Sequence, residues 1–254
     1  MKTKKKFIIL AKGFLVLILS YVLGYLSGGF IGEVVLKTTG QEAQLIRSLI
    51  IALLNILFLY LFLKVSLFKR AKNWKKTIIV FFTTIVLTLI VNYDNLFQQF
   101  RISDMFRALQ AGILGEIIFR GVIMSVFLLL FQNSKRPFLW PSLISSVLFT
   151  LGNFESLHSG QDDLYALFFQ LPFAMSVGLL LSVLFYISQN IFVPILAHLT
   201  IDFIYSTSSS FTFLGSNSDL TKASIIRMIV FTAVSIISYL IFYKHFLNES
   251  EKSN

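Results

Sequence analysis

Long apolar runs, interrupted by short polar stretches, fill most of the 254-residue chain. A helix that crosses a bilayer needs about 20 mostly apolar residues. Eight such runs are present, over approximately 7–27, 45–66, 77–92, 109–131, 138–154, 164–187, 190–206 and 225–246. The third and fifth are short. Only Ser188, Gln189 and Asn190 separate the sixth from the seventh, so a tight turn is expected there. The pattern predicts an all-α, multi-pass transmembrane bundle of about eight spans. The stretch Asn92 to Gln110 is amphipathic. It fits either an interfacial helix or a polar loop with an early start to the fourth span.

Composition agrees with this class. Hydrophobic residues make up 56% of the chain and charged residues only 13%, against roughly 25% charged in soluble domains. The net charge of +10 does not point to nucleic acid, because the basic residues cluster at the ends of apolar runs. Lys2, Lys4, Lys5 and Lys6 precede the first run; Lys69, Arg70, Lys72, Lys75 and Lys76 follow the second; Lys135, Arg136 and Lys244 follow the fourth and eighth. With eight spans all of these fall on one side. Glu33, Glu42, Asp94, Glu155, Asp162, Asp163 and Asp219 fall on the other. The positive-inside rule then places both termini in the cytoplasm. The first run lacks a convincing cleavage site and reads as a retained span. There are no cysteines, which excludes disulfides and thiolate chemistry. No internal repeat supports an inverted-repeat transporter. Gly24, Gly28 and Gly29 either permit close helix contact or end the first span. Trp74 and Trp140 read as interfacial anchors.

Ionisable groups inside spans are rare and by default functional. Glu116 and Arg120 share one helix face at i and i+4, in "GILGEIIFRGVI". They form either a site or a buried ion pair that only fixes packing. His198 and Asp202 have the same spacing in "PILAHLTIDF". That spacing lets a helix present two ligands to one metal ion, or lets Asp accept a hydrogen bond from the imidazole. Pro194, one turn before His198, is expected to loosen the helix. A third polar stretch, "LFTLGNFESLH", ends the fifth run.

Together these stretches resemble the CAAX-protease and bacteriocin-processing (CPBP, or Abi) intramembrane protease family. Its pattern is E-E-x-x-x-R, then F-x-x-x-H, then H-x-x-x-N or H-x-x-x-D, on successive core helices. "GEIIFRG", "SSVLFTLGN" and "HLTID" align with the three motifs, over roughly residues 105–206. The resemblance implies peptide-bond hydrolysis within the membrane. In the family the first Glu activates water, the His and Asn or Asp residues position that water or a metal, and the second Glu and the Arg are supportive. Here Glu116, Arg120, His198 and Asp202 match, while Gly115 stands at the catalytic Glu and Asn153 at the second-motif His. A second register, with Phe154 and His158 as F-x-x-x-H, also exists; "SSVLF" favours Asn153. Adjacent helix positions point about 100° apart, so Glu116 does not simply replace a Glu at 115. Asn153 cannot serve as a general base. If zinc is the cofactor, its candidate ligands are His198 and Asp202, with Glu116 as a third.

Three domains of the chain follow: N-terminal spans without specific motif over 1–104, a CPBP-like core over 105–206, and an outer loop, last span and tail over 207–254. The core is expected to form a conical pocket open to one side of the bilayer. The departures at 115 and 153 favour a member that has lost hydrolysis and acts by binding, in bacteriocin self-immunity or in scaffolding an envelope partner. An active metalloendopeptidase using Glu116, Arg120, His198 and Asp202 is the alternative, and an ion- or proton-coupled transporter a third. The expected location is a bacterial cell membrane. The expected partners are lipid and a membrane peptide or membrane protein, with no nucleic acid.

Overall fold

The computed structural model describes residues 3–71, 73–91, 102–152, 164–206 and 222–247. Over these residues the protein is all-helical, a multi-pass membrane bundle. Helix α1 covers Thr3–Gly29 and continues as a π-helix over Phe30–Val35; α2 is Gly40–Leu63 and α3 is Trp74–Val91. Helix α4 is α-helical over Ile102–Glu116, π-helical over Ile117–Met124, and α-helical again over Ser125–Phe131. Then come α5 (Leu139–Gly152), α6 (Leu164–Ser188), α7 (Phe192–Ser206), and α8 (Lys222–Phe242, with a π-helical end Tyr243–Leu247). Among the described residues five helices are long and apolar enough to cross a membrane. The helices Leu139–Gly152 and Phe192–Ile204 are shorter but apolar.

Helix α6 is the centre of the bundle. In its Leu171–Ser188 window 72% of residues are buried, against 22% in α1 and 28% in α2. A helix apolar on every side belongs in a core, and Phe173, Leu180, Leu181, Val183 and Leu184 are fully buried. Helices α5, α8 and α3 pack around it, while α4 packs on α7 and α2, and α2 on α1.

Small residues set the close approaches. A Cβ on Gly24 would lie 2.9 Å from the Ile51 Cα, and one on Gly28 would lie 2.8 Å from the Arg47 Cα. Both glycines therefore serve helix contact. They do not end the helix, which runs on past them. Gly112 plays the same part between α4 and α7: a Cβ there would lie 2.9 Å from Leu199 Cδ2. Without a hydrophobic force between helices in lipid, such contacts carry association.

The basic end of the bundle is joined across the chain. The Lys69 N–H donates to the Gln189 carbonyl at 3.0 Å, and the Ile191 N–H to the Leu67 carbonyl at 2.9 Å. Lys12 Nζ donates to the Phe62 carbonyl at 3.0 Å. The α2–α3 loop, the α6–α7 turn and the N-terminal part of α1 thus share one end, as the charge pattern predicts. The turn itself is as tight as expected, with Gln189 at φ 52°.

Two expectations are refined. Of Asn92 to Gln110, the part from Ile102 is the early start of α4; residues 92–101 lie outside the described residues. Pro194 does not loosen α7. It is the third residue of a helix that begins at Phe192, and in the first turn a missing N–H breaks no intrahelical bond.

A Gly24→Val substitution is expected to destabilise the bundle by about 1–3 kcal/mol, because behind the Ile51 side chain the Ile51 backbone Cα and N stand 2.9 and 3.1 Å from the new Cβ and cannot rotate away. Leu53→Val, at an exposed position of α2, should change stability by less than about 0.5 kcal/mol. Thermal unfolding in detergent measures both.

Candidate functional site

Glu116 is the last α-helical residue of α4 before the π-helical segment opens. π-helical insertions are uncommon and concentrate at functional sites. Two carbonyls in the widened stretch each receive a serine hydroxyl: Ser145 Oγ donates to Phe119 O at 2.8 Å, and Ser125 Oγ to Arg120 O at 3.4 Å. Helix α5 packs against this stretch.

Glu116 and Arg120 are both fully buried. Arg120 Nη1 donates to Glu116 Oε1 at 2.8 Å, and Nη2 donates to the Gly178 carbonyl on α6 at 3.1 Å. The guanidinium carbon stands 4.5 Å from the centre of the Phe149 ring, within cation–π range. Arginine suits this position because its planar fork serves several partners at once. Gly178 is what lets it in. A Cβ there would lie 3.3 Å from Nη2 and 3.0 Å from Ser146 Cβ.

His198 completes the cluster from α7. Its Nδ1 lies 2.8 Å from the same Glu116 Oε1, and its Nε2 lies 3.5 Å from Asp202 Oδ2. A carboxylate only accepts, so the Nδ1 proton points at Glu116. Nε2 faces the Asp202 carboxyl at ion-pair distance. The Phe149 ring meets the imidazole edge-on, with centroids 5.5 Å apart.

Position 115 faces the same imidazole. A Cβ on Gly115 would lie 3.9 Å from His198 Cε1, an ordinary contact distance. Among the described residues, His198 is the one side chain within 4 Å of the position where the family pattern carries its catalytic Glu.

Four of the sequence candidates, Glu116, Arg120, His198 and Asp202, thus form one connected network, with Gly115 at its edge. Asn153 and the alternative His158 lie outside the described residues. The expected open pocket does not reach the ion pair: Glu116 and Arg120 are sealed, and His198 is only 4% exposed. Phe149 is the F of the second motif and Ser145 opens the "SSVLF" stretch that anchors it, but sequence assigned neither a role in the network, and Gly178 was not singled out. The available signal was the small-residue spacing of "SLISS" and "SVGLLLS" in two otherwise apolar helices.

Zinc does not fit the described residues well. A zinc site normally takes at least three protein ligands. His198 Nε2 and Asp202 supply two. Glu116, the third expected from sequence, bonds the other ring nitrogen and so cannot share that ion. Among the described residues no group of three or more His, Asp or Glu side chains is placed to hold a metal.

Residues 98–204 match the family model for type II CAAX prenyl endopeptidase Rce1-like proteins. No curated protein and no solved structure matches the chain.

Removing one member of a buried pair strands the other, at about 3–5 kcal/mol. Arg120→Met is therefore expected to destabilise the protein by that much. Glu116→Gln combined with Arg120→Met should be more stable than Arg120→Met alone, since the neutral amide still meets His198. Unfolding of the three proteins in one detergent, compared with wild type, checks the order.

Proposed function

We propose that this chain, a CAAX-protease-type integral membrane protein over residues 98–204, is a non-hydrolytic member of that family and works by binding. One observation carries this reading. The carboxylate that remains, Glu116, bonds through one oxygen to both Arg120 and His198, and the position beside His198 that would hold a second carboxylate is Gly115. A general base needs to reach a water or a substrate proton. Glu116 is engaged by a guanidinium and an imidazole and shut away from solvent. The imidazole is in turn flanked on both nitrogens by carboxylates. Such a network holds α4, α6 and α7 in register, which is what a binding protein needs of its core. The partner class this reading favours is a membrane peptide or membrane protein, in self-immunity or in scaffolding of an envelope enzyme.

A specific observation favours hydrolysis as the second reading. Glu116 Oε2 and Arg120 Nε are buried with no partner among the described residues, and a polar gap of that kind suits an ordered water. A water on Oε2 would be the nucleophile, with Glu116 as its base.

Proteoliposomes holding the full-length protein and prenylated CAAX peptides separate the two. Product release is followed by mass spectrometry. The binding reading expects wild type, Glu116→Gln and His198→Ala all to release no more peptide than empty liposomes. Release by wild type that either substitution abolishes would overturn it.

A further inference from the structure

A cavity of about 290 Å³ opens at the basic end of the bundle, between the α2–α3 loop, the second half of α4 and the end of α6. Glu116, Arg120, His198 and Asp202 do not line it; Ser125, hydrogen-bonded to the Arg120 carbonyl, does. Its rim carries Lys64, Ser66, Lys69 and Gln189, and apolar side chains including Leu128 and Phe185 line the rest. No acidic residue contributes. The cavity thus brings two lysines and neutral donors together with apolar side chains; the Lys64 ammonium stands 5.6 Å from the centre of the Tyr60 ring on α2 and reaches an anion in the cavity by a rotamer change.

The backbone gives an independent reason to regard it as a built feature. Among the described residues three non-glycine residues have left-handed φ, and two of them, Lys64 (57°) and Gln189 (52°), line this cavity. Lys64 occupies the C-cap of α2, with its N–H bonded to the Tyr60 carbonyl at 2.9 Å. Glycine is the usual residue at such a cap. A side chain there is unfavourable, and strain of this sort gathers where a side chain is put to use. The loop and turn that carry the two residues are tied together by the Lys69–Gln189 and Ile191–Leu67 backbone bonds, so the rim is held in place.

We propose that this cavity binds one acidic phospholipid, its phosphate on Lys64 and Lys69 and the start of an acyl chain on Leu128 and Phe185. The charge bias puts this end of the bundle at the cytoplasmic leaflet, where anionic lipids attract juxtamembrane lysines. Charge complementarity selects the acidic headgroup. The apolar lining selects an amphiphile over a free anion.

Native mass spectrometry of the detergent-purified full-length protein tests this, with phosphatidylglycerol or phosphatidylcholine as the probe. Phosphatidylglycerol should bind more tightly than phosphatidylcholine. Lys64→Gly with Lys69→Gln should weaken phosphatidylglycerol binding about 30-fold, while Lys5→Gln with Lys6→Gln removes the same charge and leaves it unchanged. Glycine suits the left-handed cap, so the cavity variant is expected to melt in lipid-free detergent no lower than wild type. Phosphatidylglycerol should raise the wild-type melting temperature and inorganic phosphate should not. Four results would each overturn the proposal: unchanged binding in the cavity variant, an equal loss in the Lys5 and Lys6 variant, equal binding of the two lipids, or an equal thermal shift with inorganic phosphate.

Discussion

A carboxylate enclosed in an apolar bundle has to be neutralised where it stands, and Glu116 sets that requirement for the core of this protein. One of its oxygens serves both Arg120, one turn along the same helix, and His198 on α7. Arg120 then needs partners for its remaining donors and finds the Gly178 carbonyl on α6 and the face of Phe149 on α5. Four helices are thereby tied to a single buried charge. Isolated charges in the membrane interior are costly, so each member of the network is held by the others.

The same constraint explains which small residues the bundle needs. Gly112 lets Leu199 approach α4, and that contact lies one turn from Glu116 on one helix and next to His198 on the other. Gly178 admits the guanidinium to the α6 backbone. Ser182 Oγ also donates to the Gly178 carbonyl at 2.8 Å, so this carbonyl bonds both the network and its own helix. The π-helical stretch after Glu116 brings Arg120 to α6, and the Ser145 and Ser125 hydroxyls stabilise its carbonyls.

The eight apolar runs, the tight turn at Gln189 and the pairing of Glu116 with Arg120 were legible because they follow from local spacing and bilayer thickness. So was the likeness of residues 105–206 to the CPBP pattern, with which the Rce1-like match over 98–204 agrees. Contacts between distant segments were not legible. The spacing of His198 offered Asp202 as a partner on the same helix, but nothing in it indicates that the other ring nitrogen meets Glu116 from α4. Nothing in "SVGLLLS" announces that the Gly178 carbonyl is an arginine's partner. The proline rule misled at Pro194, because a proline loosens a helix only once there is a preceding turn to break. Sequence also offered Glu116 as a third zinc ligand, since three carboxylate and imidazole groups lay on two spans. The structure places it across the ring from the other two.

That placement gives the most direct test of a non-hydrolytic core. Metal content is measured on protein purified in detergent without chelator and exposed to zinc, then washed, for wild type beside His198→Ala. A network closed on itself predicts well below one zinc per chain, and the same amount in both proteins. One zinc per chain in wild type, lost in His198→Ala, would contradict it and place a metal centre where the account has an ion-pair network.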